Sequence, residues 1–353
     1  MSRCLLGLGS NLGDRRAMLR RATCCVERLS GCQLLAQSRW QETVPIGGPA
    51  GQGAFLNGAL LLECTISATE LAGALQAIEA QLGRERAIRW DARAIDIDLL
   101  LYGSEVIDSR DLSVPHPRMS CRKFVLEPAA EIGGFMIDPI SGWTLCGLLR
   151  HLQDSPRYVA VVSSERAVAE WLAERLCQEL RCPRLEEIFP GTGGVGDLGG
   201  PATVEFNQWA DASLRRSRWE DDKELAKRLP SCCGGLQETV SPVVSAAVPT
   251  QRGLPLREDI LPDASMLRPA LVIVVEPAAE EKFWKKIGTK KDKKTPPIFP
   301  VPPCSLFFES SNCQGFGPMV RLRAEDPAIV MQEAVAAIRS VWPELLNSAS
   351  DEQ

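Results

Sequence analysis

Between Arg84 and Tyr102 lie the residues of this chain best suited to chemistry: four arginines, a tryptophan and four carboxylates within nineteen positions. The stretch reads as an arginine-rich loop, Arg84 to Arg93, followed by an apolar strand, Ile95 to Tyr102, that carries Asp96 and Asp98. Strand side chains alternate faces, so the two carboxylates share one face about 6.5 Å apart, and Ile95, Ile97 and Leu99 take the other. Two aspartates so placed repel each other unless a cation sits between them. A hard cation such as magnesium takes one or two protein carboxylates, with water and substrate phosphates filling its other positions. The neighbouring arginines would then neutralise phosphate oxygens through forked hydrogen bonds, with Trp90 closing over the ligand. The alternative is an edge strand with a solvated acidic face beside a basic surface loop. A D-x-D pair alone does not decide between them.

The elements that would position this stretch follow from the patterning around it. Cys4 to Leu8 reads as a short buried strand, and Asp14 caps a helix from Arg15 to Leu29 whose Met18, Leu19, Ala22, Val26 and Leu29 recur at helical spacing. A strand is expected near Gln33 to Gln41, then an irregular loop from Glu42 to Ala54 rich in glycine and proline. Phe55 to Cys64 is a third strand, and Ser67 to Leu82 a second helix opened by a Ser67/Glu70 capping box. With the Asp strand this makes β-α-β-β-α-β, the order of an α+β ferredoxin-like unit: a largely antiparallel four-stranded sheet with helices on one face. Val114 to Arg118, with two prolines, is expected to be rigid and extended, and Leu145 to Leu152 to be the last helix of this domain.

Length and composition bound the rest. At 353 residues two domains are expected, at 1–154 and 155–353. No apolar run reaches membrane-spanning length and no secretory pattern precedes Cys4, so a cytoplasmic location is expected. A net charge of −5 argues against general nucleic-acid affinity. Thirteen cysteines, an odd number in a long chain, read as free thiols, and two histidines without a C-x-x-C leave little for a zinc site.

The motifs LGLGSNLGD, TVPIGG with FLN, IEAQLGRERAIRW, RAIDIDLLLYG and VPHPRMSCRKFVLEPAAEI together resemble, in order and spacing, the 6-hydroxymethyl-7,8-dihydropterin pyrophosphokinases of folate biosynthesis. The resemblance covers roughly residues 3–152. It implies the ferredoxin-like fold and transfer of the β,γ-pyrophosphate of ATP to the pterin hydroxymethyl group, with AMP as the other product. Under it, Asp96 and Asp98 are the ligands of two magnesium ions that bridge the ATP phosphates. Arg84, Trp90 and Arg93 belong to a mobile catalytic loop, and Glu79, His116 and Arg122 match positions at the nucleotide. Phe55 and Phe124 correspond to two aromatics that sandwich the pterin ring, Asn57 to a hydrogen-bond partner of its edge, and Thr43, Val44 and Ile46 to its backbone and wall contacts. Read without the resemblance, Glu79 is equally an exposed carboxylate, and the two phenylalanines are core residues. One departure stands out: the family usually has Gly-Pro between the loop's tryptophan and arginine, whereas this chain has Asp91-Ala92, which changes the loop's conformational range and adds a negative charge near a triphosphate.

The second half carries Tyr158 to Val162 as a strand, a helix from Glu165 to Leu180, a continuous apolar strand at Ala270 to Val275, a short strand at Met319 to Leu322 and a helix from Pro327 to Val341. Pro183 to Pro201 and Gly234 to Pro262 read as loops or linkers, and seven lysines between Lys282 and Lys294 as a solvated loop. The element order loosely resembles a nucleoside-kinase-like α/β domain. Its phosphate loop is missing, because Ser163-Ser164-Glu165-Arg166 offers neither the glycines nor the lysine. Alternatives to a pyrophosphokinase with an inactive second domain are a non-catalytic pterin- or ATP-binding module and a bifunctional enzyme with a nucleoside kinase in its second half.

Overall fold

The computed structural model describes residues 1–46, 51–83, 93–109, 111–154, 158–163, 166–182, 243–247, 270–276, 283, 286–288, 317–323, 326–343 and 345. They divide into two compact units. The first comprises Met1–Arg150 together with Arg339–Gln353, and the second His151–Ile338. The division expected at 1–154 and 155–353 differs from this grouping in that residues 339–353 go with the first unit.

In the first unit, β1 (Ser2–Ser10) is the central strand and is buried along most of its length. It pairs antiparallel with β4 (Phe55–Cys64) on one side and β5 (Asp96–Tyr102) on the other. Beyond β4 lies β2 (Cys32–Gln37), giving the order β2-β4-β1-β5. Helix α1 (Arg15–Glu27) links β1 to β2 across β4, and α2 (Ala68–Gln81) links β4 to β5 across β1. These two interleaved crossovers make the ferredoxin-like sheet. Both helices start where local chemistry dictates: Asp14 accepts the Ala17 N–H at 2.9 Å, and Ser67 and Glu70 cap each other reciprocally.

Alternation then sorts the side chains. Leu6 and Leu8 of β1, Leu60 and Leu62 of β4, and Ile97 and Leu99 of β5 join Leu19 and Val26 of α1 and Leu71 and Leu75 of α2 in one core. Each fully buried leucine contributes about 2 kcal/mol from water exclusion.

Three features differ from the sequence expectation. The strand expected over Gln33 to Gln41 is two, β2 and β3 (Gln41–Thr43), both paired to β4. The break falls where the Ser38 hydroxyl accepts the Ala59 N–H at 2.8 Å, and where Trp40 packs on Gly58, a position at which any side chain would collide with the indole. Secondly, the sheet is not covered on one face only. Helix α3 (Lys123–Gly133) packs on β4 and β1 from the side opposite the leucine core, against Leu5, in spite of Pro128 inside it. Thirdly, β5 carries a bulge: Leu5 pairs with Leu101 and Leu6 with Leu99, so Leu100 is the extra residue. After β5, a short hairpin of β6 (Ile107–Asp108) and β7 (Ser113–Val114) precedes a cis Val114–Pro115 bond. The segment beyond it is not extended as expected but turns, with Met119 N–H bonded to the His116 carbonyl at 2.9 Å. Helix α4 (Leu145–Asp154) follows.

The second unit holds a four-stranded sheet in the order β11-β10-β8-β9, parallel throughout: β8 (Tyr158–Val162), β9 (Val243–Ala247), β10 (Leu271–Glu276) and β11 (Met319–Arg323). Helices α5 (Arg166–Leu180) and α6 (Pro327–Val341) belong with it, α6 running on into the residues of the first unit. Strand β9 lies inside the stretch expected to be linker. Its five residues, flanked by Pro242 and Pro249, are too short to stand out by pattern. Of the lysine-rich stretch, Lys286 is described and pairs with Asp326 at 2.6 Å on the surface. Ser163 is buried at the end of β8, while Ser164 and Glu165 lie outside the described residues. Among the described residues no helix is long and apolar enough to cross a membrane, and the cysteines are free thiols.

Candidate active site

Helix α3 covers only part of the second sheet face. Where it stops, β1 presents Gly7 and Gly9, β4 presents Phe55 and Asn57, and β5 presents Asp96 and Asp98 to an open cleft of about 300 Å³. Glycine at position 9 is a requirement of this surface, because a Cβ there would fall 2.9 Å from Asn57 Oδ1. Thr43, Val44, Ile46 and Gln52 close one side and Arg93, His116, Arg118 and Arg122 the other, and Phe124 also lines the cleft.

On the first side Asn57 is nearly buried, and its Nδ2 donates to Thr43 Oγ1 at 2.6 Å. Strand β3 puts the two within reach by pairing Thr43 with Phe55 and Gln41 with Asn57. The amide is thereby oriented at the cleft floor beside an aromatic ring, an arrangement suited to a flat heterocycle with hydrogen-bonding edges.

The second side is electrostatic. Arg93 Nη1 donates to Asp96 Oδ2 at 2.7 Å. His116 is held at β5 by its backbone N–H, which bonds the carbonyl of the bulged Leu100 at 2.9 Å. Its Nδ1 accepts the Arg118 backbone N–H at 3.3 Å, which leaves the ring proton on Nε2, 3.8 Å from Asp98 Oδ2. Burial, followed by the charges of Arg122 and Arg118, pushes the imidazole down to about 3, so it is neutral at physiological pH. Burial and Arg118 likewise hold the Arg122 guanidinium below the usual arginine range. That guanidinium lies over the Phe124 ring at 5.5 Å, tying the charged side to the aromatic one. Three arginines around two carboxylates form a frame for a polyanion that arrives with its own cations.

Of the residues singled out from sequence, Thr43, Val44, Ile46, Phe55, Asn57, Arg93, Asp96, Asp98, His116, Arg122 and Phe124 all line this cleft. Arg84 and Trp90, with Asp91 and Ala92, lie outside the described residues. Glu79 is not among the lining residues and is not exposed. At 2% exposure it sits on the helix side of β5, where its Oε1 accepts the Ile97 N–H at 2.7 Å. The carboxylate thus steadies the strand between the two aspartates. A buried N–H left unmatched there would cost about 1–3 kcal/mol.

Sequence reading missed the residues that hold the cleft's loops. Asn11 Oδ1 accepts the Arg93 N–H at 2.7 Å, its own N–H donates to the Arg93 carbonyl at 3.2 Å, and its Nδ2 donates to Gln52 Oε1 at 3.2 Å. Arg15 spans the neighbouring loop, donating to the Ala54 carbonyl at 2.6 Å and pairing with Glu42 at 2.9 Å. The run Gly9-Ser10-Asn11-Leu12-Gly13-Asp14 was the available signal: a turn dense in polar and glycine residues directly after a buried strand.

The sequence profile of the 7,8-dihydro-6-hydroxymethylpterin-pyrophosphokinase family matches residues 5–134. Among similar proteins, the 2-amino-4-hydroxy-6-hydroxymethyldihydropteridine pyrophosphokinase of Pseudomonas aeruginosa is 40% identical over 132 residues, 37% of this chain and 81% of its own length. That of Bacillus subtilis is 42% identical over 127 residues, covering 36% of this chain and 75% of the relative. That of Methylorubrum extorquens is 40% identical over 156 residues, covering 44% of this chain and 96% of the relative.

Proposed function

This chain belongs to the 7,8-dihydro-6-hydroxymethylpterin-pyrophosphokinase family, and on that premise we propose a division of its cleft between the two substrates. It is an ATP-dependent diphosphotransferase that transfers pyrophosphate from ATP to 6-hydroxymethyl-7,8-dihydropterin in folate biosynthesis. The pterin takes the side of Thr43, Val44, Ile46, Phe55, Asn57 and Phe124, and the ATP phosphates the side of Arg93, Asp96, Asp98, His116 and Arg122. The observation that carries this is the convergence on one cleft of an oriented amide beside a ring and a carboxylate pair framed by guanidinium groups.

The chemistry follows from that partition. The pterin hydroxymethyl oxygen attacks the β-phosphorus of ATP, the bond from that phosphorus to the α,β-bridging oxygen breaks, AMP leaves with the electron pair, and the hydroxyl proton is released to solvent. Arg118 and Arg122 offset negative charge on the phosphates, and neutral His116 offers its Nε2 proton as a hydrogen-bond donor. Asn57 and Phe124 fix the pterin so that its hydroxymethyl arm meets the phosphate in line. The site suits magnesium, because a pair of carboxylates is a donor set that magnesium completes with phosphate oxygens. Asp96 and Asp98 would hold two ions, whose chemistry is to neutralise the phosphates and align the attacking and leaving oxygens. Arg84 and Trp90 are proposed to take part in the reaction, as the resemblance implies. A cytoplasmic location is part of the proposal.

The full-length chain incubated with ATP, magnesium and the pterin is expected to form AMP and pterin diphosphate in equal amounts, and no AMP without the pterin. Chromatography of the nucleotides tests this. Formation of ADP in place of AMP, or no product, would refute it.

A further inference from the structure

The first unit is discontinuous in sequence, and its second piece reaches the segment that delivers an arginine to the cleft. Ser340, buried, donates its hydroxyl to the backbone carbonyl of Cys121 at 3.2 Å across 219 positions of chain. Val341, Trp342 and Leu345 beside it are buried as well. The residue after Cys121 is Arg122, whose guanidinium lines the cleft.

The Arg122 carbonyl is fixed by α3, accepting from the Val125 and Leu126 N–H groups at 3.0 and 2.9 Å, whereas the residue's N-terminal side is held more loosely. The Arg122 backbone N–H reaches the Met119 carbonyl at 3.4 Å, and Cys121 Sγ reaches the Arg118 carbonyl at 3.4 Å. Arg122 stands at the entry to α3 in extended conformation, φ −105° and ψ 103°, with no side-chain cap. An N–H bond at 3.4 Å restrains a backbone weakly, and the buried Ser340 hydroxyl on the preceding carbonyl adds a restraint on that side of Arg122. Phe124, by contrast, is inside α3 and is set by that helix's packing on β4 and β1.

We infer that Ser340 is a positioning residue for the ATP side of the cleft: the C-terminal segment holds the Cys121 carbonyl and thereby sets where Arg122 meets the phosphates. Residues 339–345 lie outside the stretch that matches the family, 5–134, so the contribution is an addition carried by this chain. Residues 1–154 alone lack this piece of the first unit. The inference rests on the reading of Arg122 as an ATP contact.

Full-length Ser340→Ala, Ser340→Thr and Arg122→Ala are compared for KM of ATP, KM of the pterin and melting temperature. Ser340→Ala is expected to raise the ATP KM about fivefold, the usual worth of one hydrogen bond, with the pterin KM within about twofold of the parent. Ser340→Thr, which keeps the hydroxyl, returns the ATP KM to within about twofold of the parent. An unchanged ATP KM in Ser340→Ala, an equal rise for both substrates, or a loss that Ser340→Thr fails to restore would overturn the inference. If Arg122→Ala itself leaves the ATP KM unchanged, the reading of Arg122 is what fails.

Discussion

Asp98→Ala is expected to lower turnover at least about 10³-fold, roughly 4 kcal/mol of transition-state stabilisation, while the protein stays folded and still binds the pterin. Asp96→Ala should behave in the same way. Both carboxylates project from β5 on the cleft face, whereas the strand's contribution to the core comes from Ile97 and Leu99 on the other. Removing a cleft carboxylate therefore subtracts chemistry and little packing. Steady-state AMP release gives the rate, titration calorimetry without magnesium gives pterin affinity, and thermal melting checks the fold. Near-normal turnover in either variant would mean that the acidic pair has no part in the reaction.

The second large effect concerns the aromatic wall. Phe124→Ala is expected to weaken pterin binding by about 1–3 kcal/mol, the range of stacking losses on aromatic platforms. The structure adds a qualification, because Arg122 lies over the same ring at 5.5 Å. Loss of that cation–π contact, worth about 0.5–1 kcal/mol at an accessible site, should weaken ATP binding by no more than about fivefold. Calorimetric titration of each substrate separates the two. Equal losses for both would show Phe124 to be a core residue whose truncation loosens the region.

How much of this was legible in the sequence depended on whether the information was local. Phe55–Cys64 stands as read, and so do the Asp14 cap and the Ser67/Glu70 box, because alternation and capping are decided by residues a few positions apart. The shared face of Asp96 and Asp98 followed from strand geometry alone. What eluded sequence reading was set by tertiary contact. Helix α3 was hidden by Pro128, normally a breaker, because packing on β4 and β1 outweighs the lost backbone bond. The bulge at Leu100, whose carbonyl anchors His116, has no signature in DIDLLLY. Glu79 looked like a surface carboxylate at the end of a helix, and only the position of β5 beneath it shows its bond to Ile97. Ser340 could not have been tied to Cys121, since nothing local links residues so far apart. The resemblance supplied what local physics could not, namely that Asn57, Phe124, His116 and Arg122 would meet.

The central claim, that Asp96 and Asp98 hold the cations which accompany ATP, is tested most directly by counting ions. Manganese can stand in for magnesium and be titrated by electron paramagnetic resonance into the full-length chain saturated with pterin and an α,β-methylene analogue of ATP. Two bound ions per chain are expected in the parent, with at least one lost in Asp96→Ala and in Asp98→Ala. Two ions retained in both variants would contradict the account.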